Sequence, residues 1–321
     1  MARTVLVTGG SGFIAGWCIR LLLARGFSVR TTLRNPAKAA GLRAVLGGAP
    51  DIVIADLTKD EGWDAAAEGC GHVLHVASPL GAARDADAFL APARGGTLRV
   101  LEAAVNAGVT RVVMTSAAAA ARPRKGLSVE TVWADADGFD AYRRSKILAE
   151  RAAWDFMADK RTEFATVLPG AVFGPILSRE SMGSASIIEG LLRGRPPGLP
   201  KIGFWVTDVR DLAELHIRAM LAPEAKGERF LCAGEFLWMS QVAAILRTAL
   251  GARADKVPAR ELSNPAVRLL SLFVARLREI TPLLGVKIEM TTQKARRMLD
   301  FEPRPAEETL RDCALSLIAS W

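Results

Sequence analysis

The feature that most constrains the fold is a glycine-rich loop close to the start of the sequence. The loop follows Thr4–Val7, an apolar stretch that predicts a β-strand, and precedes Phe13–Ala24, an amphipathic stretch that predicts an α-helix. Glycines in such a loop let the main chain turn sharply and approach a pyrophosphate at the N-terminus of the helix. An ordinary turn can carry the same glycines, but the position between strand and helix favours a dinucleotide site. We predict cofactor contacts from Gly9, Ser11, Gly12, Phe13 and Ile14.

Strand and helix patterns continue to alternate through the first half of the chain. Further strands are predicted at Val29–Leu33, Ile52–Ala55, His72–Ala77, Val112–Ser116 and Ala165–Leu168, and further helices at Leu98–Ala107 and Ala141–Lys160. Continuous apolar strands that alternate with helices are typical of a parallel sheet covered on both faces. Because crossovers between parallel strands are right-handed, the expected fold class is α/β with a doubly wound parallel sheet, a Rossmann fold.

The pattern changes after Pro169. Glycine and proline interrupt residues 170–204. Beyond them, helices are predicted at Ser240–Leu250, Pro265–Arg278, Thr292–Leu299 and Glu307–Ser320. Residues 206–219 and 230–232 are expected to return to the first core. We therefore predict a dinucleotide-binding domain of residues 1–168 plus 206–234, and a smaller, mostly helical substrate-binding lobe of residues 169–205 and 235–321.

The sequence gives little support to a metal site or a disulfide framework. The chain has four cysteines, far apart and without a C-x-x-C pair, which argues against both. His72 and His75 lie three residues apart in a predicted strand and point to opposite faces, so they cannot grip one metal ion. His216 lies in a helical pattern and is best explained as a packed or capping residue. We expect no metal.

The charge is basic, with a formal net charge of +8. Residues 253–298 carry ten basic and four acidic side chains, but neither a run of like charges nor interleaved aromatic residues, so a basic solvated lobe or attraction of an anionic substrate is favoured over nucleic-acid binding. The longest stretch without charged residues, Thr4–Ile19, has 16 residues and is too short to span a membrane. We expect a cytoplasmic monomer or homodimer with no nucleic-acid or membrane partner.

The end of the second predicted strand bears on the choice of dinucleotide. NAD sites usually place an acidic residue there, to accept a hydrogen bond from the ribose 2′-hydroxyl. Residues 29–36 contain no carboxylate, and Arg34 stands at the strand end with Arg30 and Lys38 nearby. A planar guanidinium suits a 2′-phosphate, although a solvated arginine in a loop is the simpler alternative. The sequence therefore favours NADP(H) over NAD(H), with Arg34 and Lys38 as candidate contacts.

Tyr142 and Lys146 are four residues apart on the long predicted helix, so they share one helix face. Tyr142 is the only tyrosine of the chain. To serve as an acid near neutral pH, its pKa of about 10 must fall to about 7, which takes roughly 4 kcal/mol. An ammonium at ~4 Å supplies a free energy of that order at an effective dielectric constant of about 20. The pair is therefore a candidate for carbonyl chemistry, while an incidental tyrosine and lysine on an amphipathic helix is the alternative.

Together these segments resemble those of extended short-chain dehydrogenases/reductases, in the branch of dihydroflavonol 4-reductases and related aldehyde and ketone reductases. The resemblance covers most of the chain. It includes the residues 8–14, Leu33-Arg34-Asn35-Pro36, Ala55-Asp56-Leu57, His75-Val76-Ala77-Ser78-Pro79, Tyr142–Lys146 with Leu148-Ala149-Glu150, residues 168–175, Asp208–Ala213, Lys294-Ala295 and residues 299–303.

The resemblance implies roles for individual residues. Tyr142 is expected to donate the proton, and Lys146 to tune Tyr142 and to hold the nicotinamide ribose. Arg34 matches the arginine associated with NADP preference. The remaining expected cofactor contacts are Asp56 and Leu57 at the adenine, Val76, Ala77 and Ser78 along the cleft, and Pro169, Gly170, Ala171 and Val172 beside the nicotinamide.

One position departs from the family pattern. The fifth strand of the family usually ends in a serine that polarises the substrate carbonyl, and the matching residue here is Ala117. Loss of one such donor costs about 10²–10³ in rate. Ser116 is adjacent and Thr115 lies on the same strand face as Ala117, so either hydroxyl, or a water molecule, is a candidate replacement. We take Ser116 as the candidate third catalytic residue.

The leading hypothesis is an NADPH-dependent reductase of a ketone or aldehyde, with a dihydroflavonol-like or other bulky carbonyl compound as substrate. A sugar-nucleotide epimerase or dehydratase is a second hypothesis, opposed by the missing acid after the second strand. A third is a catalytically weak dinucleotide sensor, favoured by Ala117 and opposed by Tyr142 and Lys146.

Overall fold

The computed structural model describes residues 4–46, 48–78, 87–180 and 182–321. Within these ranges the strands are β1 (Thr4–Val7), β2 (Val29–Leu33), β3 (Asp51–Ile54), β4 (Cys70–His75), β5 (Arg111–Thr115), β6 (Leu127–Ser128), β7 (Glu163–Pro169), β8 (Ala171–Phe173), β9 (Leu199–Pro200), β10 (Gly203–Asp208), β11 (Arg229–Cys232), β12 (Phe236–Trp238), β13 (Glu261–Leu262) and β14 (Glu289–Met290). The helices are α1 (Phe13–Ala24), α2 (Ala39–Leu46), α3 (Trp63–Ala67), α4 (Asp87–Asn106), α5 (Ala141–Met157), α6 (Ala185–Leu192), α7 (Val209–Leu221), α8 (Met239–Leu250), α9 (Asn264–Leu270), α10 (Ala275–Ile280), α11 (Gln293–Leu299) and α12 (Ala306–Ala319).

A parallel sheet forms the centre of the first of two compact units. This unit comprises Met1–Pro169, Arg210–Cys232 and Met290–Glu302. Its seven strands have the order β11-β7-β5-β4-β1-β2-β3, and each neighbouring pair runs parallel. The chain order reverses between β1 and β4, which is where doubly wound sheets leave a crevice at the carboxyl ends of their strands. The predicted α/β fold class is confirmed.

Helices α4 and α5 pack against one another and cover one face of this sheet. Their inward side chains are small or aliphatic, including Ala104 and Ala153, and lie against strand residues such as Val112. Both helices carry several alanines, and α4 also carries two glycines, which suits a close approach of the two helices. Among the described residues, no helix has the length and apolar content that crossing a bilayer requires.

The first unit also contains a late segment of the chain. The predicted lobe included residues 290–302, whereas the structure places Met290–Glu302 with the sheet. Side-chain contacts explain the assignment, because Lys294 forms an ion pair with Glu228 and Arg218 donates to the carbonyl oxygen of Leu299 at 2.9 Å. These contacts hold helix α11 beside β11.

The second unit comprises Gly170–Val209, Ala233–Glu289 and Pro303–Trp321. It holds a three-stranded sheet of order β12-β10-β8 and the two-stranded pair β13-β9. Its core is formed by helices α6, α8 and α12, with fully buried Ile188, Leu246 and Leu310 among the residues in contact. This unit is smaller and mostly helical, as the sequence predicts.

Several elements differ from their predicted bounds for identifiable reasons. The sequence predicts a helix at residues 98–107, whereas α4 begins at Asp87. The first half of α4 contains Pro92 and two glycines, which obscure the helical pattern in the sequence. The long helix ends at Met157 rather than Lys160, where the amide of Lys160 turns back to the Met157 carbonyl oxygen. Residues 265–278 form two helices, α9 and α10, because Ser271 bonds the carbonyl oxygen of Arg268 and the chain turns.

Candidate active site

The carboxyl ends of β1 and β4 are joined by the hydroxyl of Thr8. Its oxygen accepts hydrogen bonds from the amides of Val76 at 3.1 Å and Ala77 at 3.0 Å. The hydroxyl proton is therefore left for Nδ1 of His75, which lies 3.0 Å away. Burial, with the nearby charge of Lys146, lowers the pKa of His75 to about 3, so the ring stays neutral and can accept that proton. Thr8 thus fixes the two strand ends where the order of the sheet reverses.

The glycine loop is tightly packed against these strand ends. Gly9 has a φ of +73°, and a Cβ there would lie 3.0 Å from the Cβ of Ala77. The amide of Gly9 donates to Oγ1 of Thr32 at 2.9 Å, and the amide of Gly12 donates to the Gly9 carbonyl oxygen at 2.8 Å. Glycine at position 9 is required both by the left-handed backbone and by the close approach of β4.

Helix α1 begins directly after this loop and has no side-chain cap. Gly12 is its N-cap and supplies no side-chain hydrogen bond, and the first turn contains no acidic residue. Phe13 is buried, while Ser11 and Ile14 are half-buried. Amides without a side-chain cap, at the positive end of a helix dipole and directly after a glycine loop, suit a pyrophosphate.

Basic side chains follow β2, and no carboxylate stands at its end. Arg34 and Lys38 are both exposed. Asp56, which follows β3, accepts from the amide and the hydroxyl of Thr58, each at 2.8 Å. The amide hydrogen bond from Thr58 is the main cause of the lowered pKa of Asp56, and the charge of Arg34 contributes to the shift. Arg34 is therefore close to Asp56, and the carboxylate of Asp56 is already engaged.

Three further predicted contacts lie beside α4 or at the end of β4. Leu57 is half-buried and packs against α4 at Gly96, where an added Cβ would come 2.6 Å from the Cβ of Leu57. Val76 and Ser78 are half-buried beside the end of β4. Pro79 lies outside the described residues.

Helix α5 carries Tyr142 in its first turn and Lys146 in its second. Asp140 caps the helix, because its Oδ1 accepts from the amide of Arg143 at 3.0 Å. Tyr142 is 40% exposed, whereas Lys146 is 6% exposed. The ammonium of Lys146 forms neither a hydrogen bond nor an ion pair with any described residue. Burial lowers the pKa of Lys146 to about 8, and the charge of Glu150 opposes that shift.

The pKa of Tyr142 differs from the sequence-based expectation. Burial raises the pKa of the phenol, with the charge of Arg143 opposing the shift and that of Asp140 adding to it. The sequence predicts a pKa lowered by Lys146. The pKa of the phenol shifts in the opposite direction, because loss of hydration outweighs the positive charge of Arg143. A phenol of this kind is protonated at neutral pH and is a proton donor.

The hydroxyls proposed as replacements at the end of β5 are both engaged. Ser116 Oγ donates to Oε2 of Glu150 at 2.6 Å, because a buried carboxylate can only accept. His216 donates from Nδ1 to the Leu212 carbonyl oxygen at 2.8 Å, so its Nε2 accepts the proton of Thr115 Oγ1 at 2.7 Å. Neither hydroxyl proton is free for a substrate carbonyl, and Ala117 has none.

Glu150 and Arg229 form a buried ion pair that the sequence did not predict as part of the site. Glu150 is 0% exposed, and its Oε1 accepts from Arg229 Nε at 2.9 Å and from Thr166 Oγ1 at 2.8 Å. Arg229 also donates to the carbonyl oxygens of Glu130 and Val132 at 2.6 and 2.7 Å. The available signal was spacing, since Glu150 lies four residues after Lys146 on the same helix face.

The structure brings the predicted residues together in two groups within the first unit. One surrounds the ends of β1, β2 and β4, and the other surrounds α5 and the end of β5. They are linked at His75, whose pKa responds to Lys146. Pro169 ends β7 in the same unit, but Gly170, Ala171 and Val172 belong to the second unit, where the Gly170 amide donates to Thr207 Oγ1 at 3.0 Å.

These observations fit NADP(H). The uncapped amides of α1 suit the pyrophosphate, the exposed bases after β2 suit a 2′-phosphate, and the unpartnered ammonium of Lys146 suits ribose hydroxyls. A metal ion has no comparable site, since nowhere in the described ranges do three His, Cys, Asp or Glu side chains converge.

Comparison with known proteins agrees with this geometry. The model of the NAD dependent epimerase/dehydratase family matches residues 5–233. Cinnamoyl-CoA reductase 1 of Arabidopsis thaliana is 31% identical, over 91% of this chain and 86% of the plant protein. Cinnamoyl-CoA reductase CAD2 of Medicago truncatula is 37% identical, over 72% and 76%. The structure of Gre2 from Candida albicans in complex with NADPH superposes with a TM-score of 0.83 at 26% identity, covering 99% of each chain.

Proposed function

The chain belongs to the NAD dependent epimerase/dehydratase family, and from this premise we propose that it is an NADPH-dependent oxidoreductase of the extended short-chain dehydrogenase/reductase type. It reduces the carbonyl group of a ketone or aldehyde to an alcohol. Relatives at 31% and 37% identity are reductases of cinnamoyl-CoA, which places carbonyl reduction within the reach of this scaffold. The substrate we propose is a dihydroflavonol-like or other bulky carbonyl compound.

One observation carries the proposal. Lys146, which is 6% exposed, stands one helical turn after Tyr142, the only tyrosine of the chain. Burial lowers the pKa of Lys146 to about 8 although the charge of Glu150 opposes the shift, so Glu150 offsets only part of the cost of enclosing this ammonium. A ligand that supplies hydroxyl acceptors to the ammonium would offset the rest.

Each group has a defined task in the proposed reaction. NADPH, when bound, supplies the hydride that reduces the carbonyl carbon. Tyr142 donates its phenolic proton to the carbonyl oxygen, and its raised pKa keeps that proton in place until the oxygen becomes basic. Lys146 stabilises the phenolate that remains. Gly9, with the first turn of α1, binds the pyrophosphate, and Arg34 and Lys38 bind the 2′-phosphate.

The substrate oxygen is left with a reduced set of donors. Because Ala117 lacks a hydroxyl and Ser116 and Thr115 donate elsewhere, Tyr142 is the one side-chain donor that we assign to the carbonyl oxygen. A water molecule beside Ala117 is the replacement we propose for the missing group. This arrangement favours carbonyl groups that are already electrophilic, such as aldehydes and activated ketones.

The test is consumption of NADPH, followed by absorbance, with a panel of aromatic aldehydes, bulky ketones and aliphatic aldehydes. We expect turnover with at least one class in the wild type and turnover slower by about 10²–10⁴ in Tyr142→Phe, with NADPH bound by both proteins. If NADPH binds but is consumed with none of the tested carbonyl compounds, a dinucleotide sensor would be favoured. Interconversion of a nucleotide sugar without net NADPH consumption would favour an epimerase.

A further inference from the structure

The buried ion pair of Glu150 and Arg229 lies one helical turn from Lys146 on helix α5. We propose that Glu150 is a positioning residue, whose carboxylate stabilises the ammonium charge of Lys146 one helical turn away and holds the hydroxyl proton of Ser116 away from the substrate. The inference rests on the proposed function, because Lys146 acts in that reaction. Glu150 is 0% exposed, so it would act on the reaction through Lys146 and not by contact with the substrate or the cofactor.

The orientation of the carboxylate is fixed on all sides. Oε1 of Glu150 accepts from Arg229 Nε at 2.9 Å and from Thr166 Oγ1 at 2.8 Å. Oε2 accepts from Ser116 Oγ at 2.6 Å and from a second nitrogen of Arg229 at 3.2 Å. Four hydrogen bonds from donors on three strand segments leave the carboxylate one position.

The guanidinium of Arg229 is held just as firmly, and it reaches the segment that follows Ala117. It donates to the carbonyl oxygen of Ala120 at 3.1 Å, as well as to those of Glu130 and Val132. The ring of Trp133 lies over it, with its centroid 3.8 Å from Cζ. The carboxylate of Glu130 accepts from the amide of Leu231 at 3.1 Å. The pair therefore connects helix α5 with residues 120–133 through β11.

The electrostatic effect on Lys146 has a definite sign. Burial lowers the pKa of Lys146 to about 8, and Glu150 is the charge that raises it. The other titratable groups around the ammonium do not supply that charge, since His75 is neutral above pH 3 and Tyr142 is protonated. Without the carboxylate, the pKa of Lys146 falls, so the lysine loses its proton at a lower pH. The positive charge of Arg229, which is then unpaired, lowers this pKa further.

The decisive experiment titrates Lys146 directly in the full-length protein. Lysine labelled with ¹³C at Cε is followed by NMR against pH, and the Lys146 signal is assigned by its loss in Lys146→Gln. We expect the wild type to titrate near pH 8 and Glu150→Gln to titrate at least about one unit lower. Thr166→Val is the matched control, because it removes one hydrogen bond and keeps the charge, so its titration should equal that of the wild type. An unchanged titration in Glu150→Gln overturns the inference.

The Glu150→Gln change leaves Arg229 buried without its partner, which destabilises the fold. A second variant therefore tests the inference if Glu150→Gln does not fold. The double variant Glu150→Gln/Arg229→Gln leaves neither charge unpaired. Its Lys146 should also titrate below the wild-type value, because the carboxylate acts directly on the lysine. A wild-type value in a folded double variant overturns the inference as well.

The pH dependence of catalysis separates this inference from the proposed function. If Lys146 acts as its ammonium, the alkaline limb of kcat/KM lies near pH 8 in the wild type and moves down with the titration in Glu150→Gln. A titration that moves without the kinetic limb supports the positioning role and contradicts the catalytic role of Lys146. If the Lys146 titration and the kinetic limb move together, the positioning role of Glu150 and the catalytic role of Lys146 are both supported.

Discussion

The two ends of the candidate site are built in different ways. At the glycine loop, position is set by the backbone: Gly9 adopts a φ of +73°, and Thr8 ties the ends of β1 and β4 together. At helix α5, position and charge are set by buried side chains from distant parts of the chain, chiefly Glu150 and Arg229, which are 79 residues apart. The first arrangement is fixed by backbone conformation and uncharged groups, whereas the second depends on a pair of charges that can be altered one at a time.

This difference leads to separate expectations for binding and for chemistry. Changes at the loop should alter cofactor affinity and leave the chemical step of the bound enzyme similar. Changes at Tyr142 and Glu150 on α5 should alter the chemical step and leave cofactor affinity similar. A variant that alters both equally would break the distinction.

The largest effect is expected from Tyr142→Phe, which removes the proton donor and keeps the ring. The rate constant kcat should fall by about 10²–10⁴, because that is the usual contribution of a positioned general acid. The dissociation constant of NADPH, measured by fluorescence titration, should change by less than about twofold, since no phosphate contact is touched. Turnover at the wild-type rate would remove Tyr142 from the mechanism.

The next effect is expected from Arg34→Asp, which places a carboxylate after β2. The ratio of kcat/KM for NADPH to that for NADH should fall by about 10–100-fold, because a charge-assisted hydrogen bond is lost and repulsion replaces it. Lys59→Asp is the matched control, since Lys59 is also exposed and also acts on Asp56. Its cofactor preference should match the wild type. Equal shifts in both variants would mean that only general charge matters.

A smaller effect is expected from Gly9→Ala, because an L-residue with positive φ costs about 1–2 kcal/mol and the new Cβ meets Ala77. The affinity for NADPH should fall by about tenfold, as measured by calorimetry. Gly26→Ala is the control for strain alone, because Gly26 has a φ of +78° and nothing lies within 4 Å of its added Cβ. It should lower the melting temperature and leave NADPH affinity unchanged.

The smallest effect is expected from Ser116→Ala. Because the Ser116 hydroxyl donates to Glu150, its removal should change kcat by less than about threefold, against the 10²–10³ expected of a carbonyl-polarising donor. Steady-state kinetics with one carbonyl compound suffice for the comparison. A loss of a hundredfold or more would return Ser116 to the role that the sequence suggested.

The same contrast explains what the sequence could and could not predict. The fold and the position of the loop were predictable, because alternation of strands and helices and the glycines around Ser11 are local patterns. The spacing of Tyr142 and Lys146 was equally visible. The engagement of Ser116 and Thr115 was not, because their partners Glu150 and His216 lie 34 and 101 residues away in the chain. The pKa of Tyr142 moved opposite to expectation because burial, unlike spacing, is a property of the folded chain.

The most direct test of the central claim uses NADPH deuterated at both C4 positions, with a carbonyl compound that the wild type reduces. The account predicts an alcohol that carries one deuterium at the former carbonyl carbon, formed by the wild type and not, over the same period, by Tyr142→Phe. An alcohol without that deuterium, or equal labelled product from both proteins, would contradict it.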